Sequence, residues 1–261
     1  MKSLQRFVMP VNSKGCLITA FNNEKHDHLK MAVAAADRVV QHLNIPVTIV
    51  TDDETADIGL HNLIIATKPT ANLRKDFTWY NLSRTDLYDI SPYDRTLIID
   101  SDYYICTDNL LAHINGSADF IMTRDVYNVR TGTVERYKLG NTQIDMYWAT
   151  VAIFNKCEEV HSIFELAKHV QKHYVYYSEL YGFKRIPVRN DYIFTIACHL
   201  IGGYGMKDYG FKKYPLVNCD NFTKYISFDN NKLIYQYETT KVCANKLQNL
   251  DLHLMNKGQL Q

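Results

Sequence analysis

Apolar residues along this chain follow two rhythms. Unbroken runs rich in Ile, Val and Leu recur at 15–22 (GCLITAFN), 46–53 (PVTIVTDD), 62–67 (NLIIAT), 95–100 (RTLIID) and 118–125 (ADFIMTRD). They close on small or polar residues and predict strands buried on both faces. Between the first two runs the apolar positions are 29, 32, 33, 36, 39, 40 and 43, one face of a helix over 24–43 that Asn44 and Pro46 stop. Strand, helix, strand in so short a span is a βαβ unit, which requires a parallel sheet. Residues 81–90 (NLSRTDLYDI) predict another helix, ended by Ser91-Pro92.

The second half is less regular. A strand is predicted at 146–156 (MYWATVAIFNK), one long helix over 159–177, and a helix with a polar start over 189–201. Short strands follow near 214–218 and 232–237, then the tail LDLHLMNKG at 250–258. No linker, repeat or low-complexity stretch interrupts the chain. The expectation is a single α/β domain, 1–261, with a mostly parallel central sheet.

Composition narrows the picture only a little. With 46% hydrophobic and 22% charged residues the chain reads as globular, and a net charge of +1 provides no global field toward a polyanion. Its 19 tyrosines suit either ligand-facing surfaces or a core. The six cysteines form no CxxC pair and no zinc spacing, which predicts free thiols in a reducing compartment. The segment MKSLQRFVMPVNSKG lacks the apolar centre of a signal peptide, and no apolar run is long enough to span a membrane. The expected location is cytoplasmic. AFNNEKHDH, after the first strand, has no glycine, which excludes a G-x-G-x-x-G dinucleotide loop.

The chemistry concentrates where RTLII runs into Asp100-Ser101-Asp102. Desolvating carboxylates is costly, so two at the end of a buried strand need a reason. Residues i and i+2 of a strand share a face, which would set Asp100 and Asp102 side by side and turn Ser101 away. A hard cation such as Mg²⁺ or Mn²⁺ makes two close carboxylates tolerable. Ligands of open α/β sheets bind beyond the carboxyl ends of the strands. Asn22, Asp52 and Asp53 end the first two strands at that same edge. A plain turn capped by two aspartates is the alternative reading.

The stretch LSRTDLYDISPYDRTLIIDSDYYICTDNLLAHI (82–114) resembles the central block of the GT-A glycosyltransferases, above all glycosyltransferase family 8. That family carries an Arg-bearing helix, an L-P-x-x-D-R-V-L-Y-L-D strand, a D-x-D and then D-L-x-x-L. YWATVAIFNK (147–156) is similar to its F-N-A-G-V-M-L-I-N segment, RNDYIFTIA (189–197) to its D-Q-D-x-L-N helix, and LDLHLMNKG to its H-x-x-G-x-x-K-P-W close. Ala149-Thr150 depart from the small Asn/Gly pair, Lys257 is not followed by Pro-Trp, and the His253–Lys257 spacing is short.

The resemblance implies a GT-A (Rossmann-like) fold, a UDP-sugar donor, a Mn²⁺ or Mg²⁺ cofactor and retention of configuration. Residues 15–125 would bind the nucleotide sugar; 126–261 would form the acceptor side and a closing tail. Asp100, Asp102 and His253 would hold the metal. Lys257 would reach the diphosphate, and Arg84 the phosphates or the sugar. Ala20, Phe21, Asn22, Asp52, Asp53 and Ser101 would line the nucleotide. Asp191, with Asp145 as second candidate, would stand near the reacting carbon. Each has a bland alternative as a core, turn, cap or surface residue. A non-catalytic nucleotide-sugar-binding module is the reading from another class; the intact Asp100, Asp102, His253 and Lys257 set weighs against it.

The acceptor is read from residues 170–216. There Lys172, Lys184, Arg185, Arg189, Lys207, Lys212 and Lys213 interleave with many Tyr and Phe residues. Cations among aromatics suit a phosphate backbone and stacked or flipped bases. The chain ends soon after Lys257, without the basic-aromatic extension of lipopolysaccharide enzymes of this family. The expectation is a hydroxymethylated base in DNA, as in viral DNA-modifying members, with a glycan or lipid-linked sugar as the alternative.

Overall fold

The computed structural model describes residues 13–74, 77–129, 131–184, 187–219, 223–229, 232–237, 241–246, 250–255 and 257. Residues 1–12, Arg185, Asn256 and Gly258, and the Cys243 side chain, lie outside these. The opening βαβ unit is β1 (Lys14–Thr19), α1 (His28–Leu43) and β2 (Val47–Thr51), followed by β3 (Asn62–Ile65). A hairpin of β4 (Asn72–Arg74) and β5 (Phe77–Trp79) precedes a 3₁₀ helix over Leu82–Asp86, which runs into α2 (Leu87–Ile90). Then come β6 (Arg95–Ile99), β7 (Tyr103–Tyr104), α3 (Asn109–Ile114), β8 (Phe120–Thr123), β9 (Asp125–Asn128), β10 (Thr133–Arg136), β11 (Lys138–Leu139) and β12 (Ile144–Asp145). The second half holds β13 (Trp148–Asn155), α4 (Glu158–Lys172), α5 (Tyr174–Tyr181), α6 (Asn190–Ile201), β14 (Leu216–Cys219), the meander β15 (Thr223–Asp229), β16 (Lys232–Tyr237) and β17 (Lys241–Lys246), and the tail strand β18 (Leu252–Leu254).

The central sheet has the order β3-β2-β1-β6-β13-β8. β3, β2, β1 and β6 pair in parallel; β13 runs antiparallel between β6 and β8. This is an α/β fold with a mostly parallel central sheet. Both faces are covered, which is why its strands read as continuous apolar runs. Cys16, Ile18, Leu97 and Ile99 point to the α1 side, where Ala32, Ala35, Ala36 and Val39 allow close approach. Leu17, Ile98 and Phe154 point to the other side, against Val160, Ile163 and Phe164 of α4 and Ile193 and Ile196 of α6.

Helix boundaries follow caps. α1 begins at His28 and not at the predicted 24, because the Asp27 side chain caps it by accepting from Lys30 N at 2.9 Å. The single helix predicted over 159–177 is two. His173 leaves helical geometry (φ −108°, ψ 32°), and α5 restarts after it with Tyr174, Tyr177 and Tyr181 buried. The run at 118–125 likewise divides at Arg124 into β8, in the central sheet, and β9, in a second sheet.

The second sheet joins distant segments in the order β10-β9-β14-β18-β7. β18 lies between β14, parallel to it, and β7, antiparallel to it. Most aromatics of 170–216 turn out to be core. Tyr174, Tyr177, Tyr181, Phe194, Tyr209, Phe211 and Tyr214 are buried, whereas Tyr176 and Tyr204 are exposed. The interleaved basic-aromatic face expected from the sequence is therefore not a surface. Its rings pack inward and lysines such as Lys172, Lys212 and Lys213 remain outside. Cys16, Cys106, Cys157, Cys198 and Cys219 are free thiols. Among the described residues no helix is long and apolar enough to cross a membrane.

One close approach tests the packing. A Cβ added at Gly15 would sit 2.2 Å from Cζ of the buried Tyr93, whose hydroxyl hydrogen-bonds Thr48 Oγ1 at 2.7 Å. Gly15→Ala is expected to cost about 1–3 kcal/mol by overpacking. The urea midpoint should fall with the slope unchanged; an unmoved midpoint would show that Tyr93 yields freely.

Candidate metal and nucleotide site

β6 ends one residue before Asp100, and the chain turns there: Tyr103 N donates to Asp100 O at 3.0 Å. Asp100 and Asp102 thus flank a tight turn and do not continue a strand, as their spacing had suggested. They converge because the turn curls the backbone from the first sheet into β7 of the second. Ser101 is not turned away. It lines the cleft and shares a 3.1 Å hydrogen bond with His28 Nδ1.

β18 brings the third group. Its register sets His253 opposite Tyr103 on one side and Asn218 on the other, and Leu254 N donates to Asp102 O at 3.0 Å. Ligand atoms of Asp100, Asp102 and His253 lie within 4.8 Å of one another. Asn218 Oδ1 stands 2.8 Å from His253 Nδ1. An Nδ1–H donating there leaves Nε2, 3.6 Å from Asp102 Oδ1, with its lone pair free to ligate. Asp251 secures the strand: Oδ1 accepts from Cys106 N (2.6 Å) and Thr107 N (2.9 Å), and Oδ2 from Tyr214 Oη (2.5 Å).

Asp102 is 2% exposed, and its Oδ1 has no hydrogen-bond partner among the described residues. Its Oδ2 accepts from Lys257 Nζ at 2.6 Å. Burial opposes charge on this carboxyl, but Lys257 and His253 together hold it well below the usual carboxylate range. Burial moves Asp100 the other way, upward, against the pull of Arg84. An orphaned buried carboxylate oxygen, a second carboxylate and an imidazole nitrogen fit a hard divalent cation.

Arg84 is buried, and its guanidinium donates to Asp100 Oδ1 and to Ala149 O. It therefore orients the cluster instead of pairing with Asp86 or Asp89. Asp191 lies in the first turn of α6, where it accepts from Ala149 N (2.9 Å) and from Arg189 (2.9 Å). These groups line one cleft of about 470 Å³, together with Phe21, Trp79, Tyr80, Trp148 and Asn190. Trp148 and Ala149 arrive there because β13 runs antiparallel to β6, with Asp100 N donating to Thr150 O at 3.0 Å.

Other predicted residues are not among its lining. Ala20 is fully buried and donates to Val50 O, and Asn22 Oδ1 accepts from Leu29 N at 2.9 Å. Asp52 stands 3.4 Å from Lys68, and Asp53 Oδ1 accepts from Thr55 N at 2.8 Å. Asp145 is in β12, paired with Lys138. Sequence reasoning missed His28, Trp79, Trp148, Arg189, Asn190 and Asn218. Arg189 and Asn190 flank Asp191 and were within reach of it; Trp79 and Asn218 carry no local signal, since only sheet register and hairpin position bring them in.

Comparison with known proteins adds little to this geometry. No family model matches the chain, and no curated protein matches it. Among solved structures the chain is similar to the apo-form glycosyltransferase GlyE of Streptococcus pneumoniae TIGR4, at 10% identity and TM-score 0.44 over 77% of this chain and 45% of that one. It is similar to galactosyltransferase LgtC in complex with donor and acceptor sugar analogs, at 14% identity and TM-score 0.45 over 70% of this chain and 69% of that one. It is also similar to mouse xyloside xylosyltransferase 1, at 13% identity and TM-score 0.43 over 72% of this chain and 82% of that one. All three are glycosyltransferases, and the chain spans under half the length of GlyE. With TM-scores below 0.5, the functional reading rests on the site itself.

The His28 imidazole gives a pH test. Burial, and then the Lys257 charge, push it down to about 4 from an ordinary 6.5. The unfolded chain takes up this proton below pH 6.5 and the folded chain only near pH 4, so stability falls as pH drops through that window. In metal-free buffer the loss should reach about 3 kcal/mol, and His28→Gln should remove it. Urea unfolding of both proteins at pH 7 and pH 4 measures this; parallel losses would mean that His28 is not held neutral.

Proposed function

We propose that this chain is a metal-dependent glycosyltransferase of the GT-A type, moving a sugar from a nucleoside-diphosphate sugar, with UDP as the nucleotide, to an acceptor hydroxyl. The observation that carries the reading is the Asp100–Asp102–His253 cluster, with its orphaned Asp102 oxygen, in a cleft at the carboxyl edge of the parallel strands. Asp100, Asp102 and His253 would hold Mn²⁺ or Mg²⁺, which when bound supplies positive charge to the diphosphate leaving group. Asn218 keeps His253 in its ligating tautomer and Arg84 keeps Asp100 in place. Lys257 adds a cation for the phosphates, and Phe21 and Trp79 give the nucleoside and sugar apolar walls.

Retention of configuration, implied by the family resemblance, gains support from Asp191. Outside the metal cluster it is the one carboxylate among the described lining residues, and both its oxygens accept hydrogen bonds. An inverting reaction needs a free general base facing the acceptor, and a carboxylate already accepting on both oxygens is a poor one. On the acceptor side we favour a carbohydrate hydroxyl, because most of the 170–216 rings that would stack on bases are buried in the core. Exposed Lys172, Lys184, Lys207, Lys212 and Lys213 favour a hydroxymethylated DNA base as the second reading. Electrophoretic mobility of duplex DNA across a salt series separates the two; the expected result is no salt-sensitive shift.

Thermal shift with nucleoside diphosphates, with and without Mn²⁺, tests the donor site. UDP should raise the melting temperature only with Mn²⁺, and Asp102→Asn should abolish the rise. Asn218→Ala should lower Mn²⁺ affinity about 10- to 100-fold through loss of its hold on His253. No metal-dependent shift with any nucleotide would overturn the assignment.

A further inference from the structure

Lys257 occupies the place where a cation belongs. Its Nζ lies 2.6 Å from Asp102 Oδ2, the side chain is 11% exposed, and the Trp79 ring covers it with its centroid 4.6 Å away. The carboxylate that a metal needs thus already holds an ammonium from the same chain on Oδ2, and only Oδ1 is left open. Charge counting sharpens the point. Asp100 and Asp102 are balanced by Arg84 and Lys257, so the site is neutral as it stands. A divalent ion entering beside both cations would leave uncompensated charge in a buried place, which is costly.

Two changes restore the balance: an anion arrives, or Lys257 withdraws. A nucleoside diphosphate accomplishes both, because its phosphates are a better partner for the ammonium once a metal holds Asp102. The tail permits the movement. Among the described residues the last hydrogen bond from the tail to the sheet is Met255 N to Cys219 O, at 3.0 Å, and Lys257 N donates only to Met255 O within the tail, at 3.1 Å, so the Lys257 side chain can swing without disturbing His253.

We infer that Lys257 is a tethered competitor for the metal's seat on Asp102, drawn off by the diphosphate of the donor, so that metal and nucleotide bind with positive coupling. This rests on the reading of the cleft as a metal–nucleotide site. Metal alone binds weakly while the ammonium is in place, and each ligand tightens the other by the same factor. The chain would therefore discriminate against empty metal loading.

Calorimetric titration of Mn²⁺ into nucleotide-free protein tests this, with wild type, Lys257→Met and Asp102→Asn compared. Lys257→Met keeps the length of the side chain and removes its charge. It should bind Mn²⁺ roughly 10-fold tighter than wild type, and Asp102→Asn should show no site heat. With UDP present, Mn²⁺ affinity should rise in both proteins through the direct metal–diphosphate contact, and by a clearly smaller factor in Lys257→Met, where no ammonium has to be drawn off. Equal or weaker Mn²⁺ binding by Lys257→Met, with heat that Asp102→Asn abolishes, would overturn the competition while leaving the metal site intact. Absence of site heat in wild type and Lys257→Met alike would overturn the metal reading and this inference together.

Discussion

The chemistry of this protein depends on one strand of three residues finding its slot. Leu252–Leu254 pairs with β14 on one side and β7 on the other, and this pairing brings His253 and Lys257 to Asp102. Backbone hydrogen bonds set the register, and a one-residue slip would turn His253 to the opposite face. The buried Asp251 carboxylate reinforces that register by accepting from two backbone amides and two hydroxyls. A half-satisfied carboxylate at that depth would be costly, so the network specifies one alignment.

The site is assembled at a seam between two sheets. The central sheet delivers Asp100 from β6 and the wall Trp148–Thr150 from β13, whose reversed direction sends its start to the edge where parallel strands end. The second sheet delivers His253 and Asn218. Arg84 ties Ala149 to Asp100 across the two neighbouring strands of the central sheet. Asp100 and His253 are thereby held by Arg84 and Asn218, which are themselves anchored in regular structure, and such preorganisation is what a charge-stabilising site requires.

The same principle explains which predicted residues fell outside the cleft. Asn22 and Asp53 lie near the correct edge, but each finds a nearer backbone amide to accept from. Short polar side chains after a strand satisfy local donors first. The aromatics of 170–216 went inward for a related reason: covering a sheet takes apolar volume, which Tyr174, Tyr177, Tyr181, Phe194 and Tyr209 supply on the α4–α6 side and Phe211 and Tyr214 on the α1 side.

The sequence by itself determined the strands of the central sheet, the crossover helix α1 and the sheet edge where the cleft lies, because continuous apolar runs and helical spacing are local consequences of burial. It also marked Asp100, Asp102, His253, Lys257, Arg84 and Asp191, all of which the structure brings into one cleft. It misread the manner of their meeting, since a turn and a strand can place residues i and i+2 equally close. Only the tertiary structure decided that β13 reverses, that the helix at 159–177 breaks, and that Asn218 and Trp79 complete the site. It also decided that Lys257 sits on the carboxylate a metal would use. Those choices depend on register between segments more than a hundred residues apart and on a balance of buried charge, and neither leaves a periodic trace in the chain.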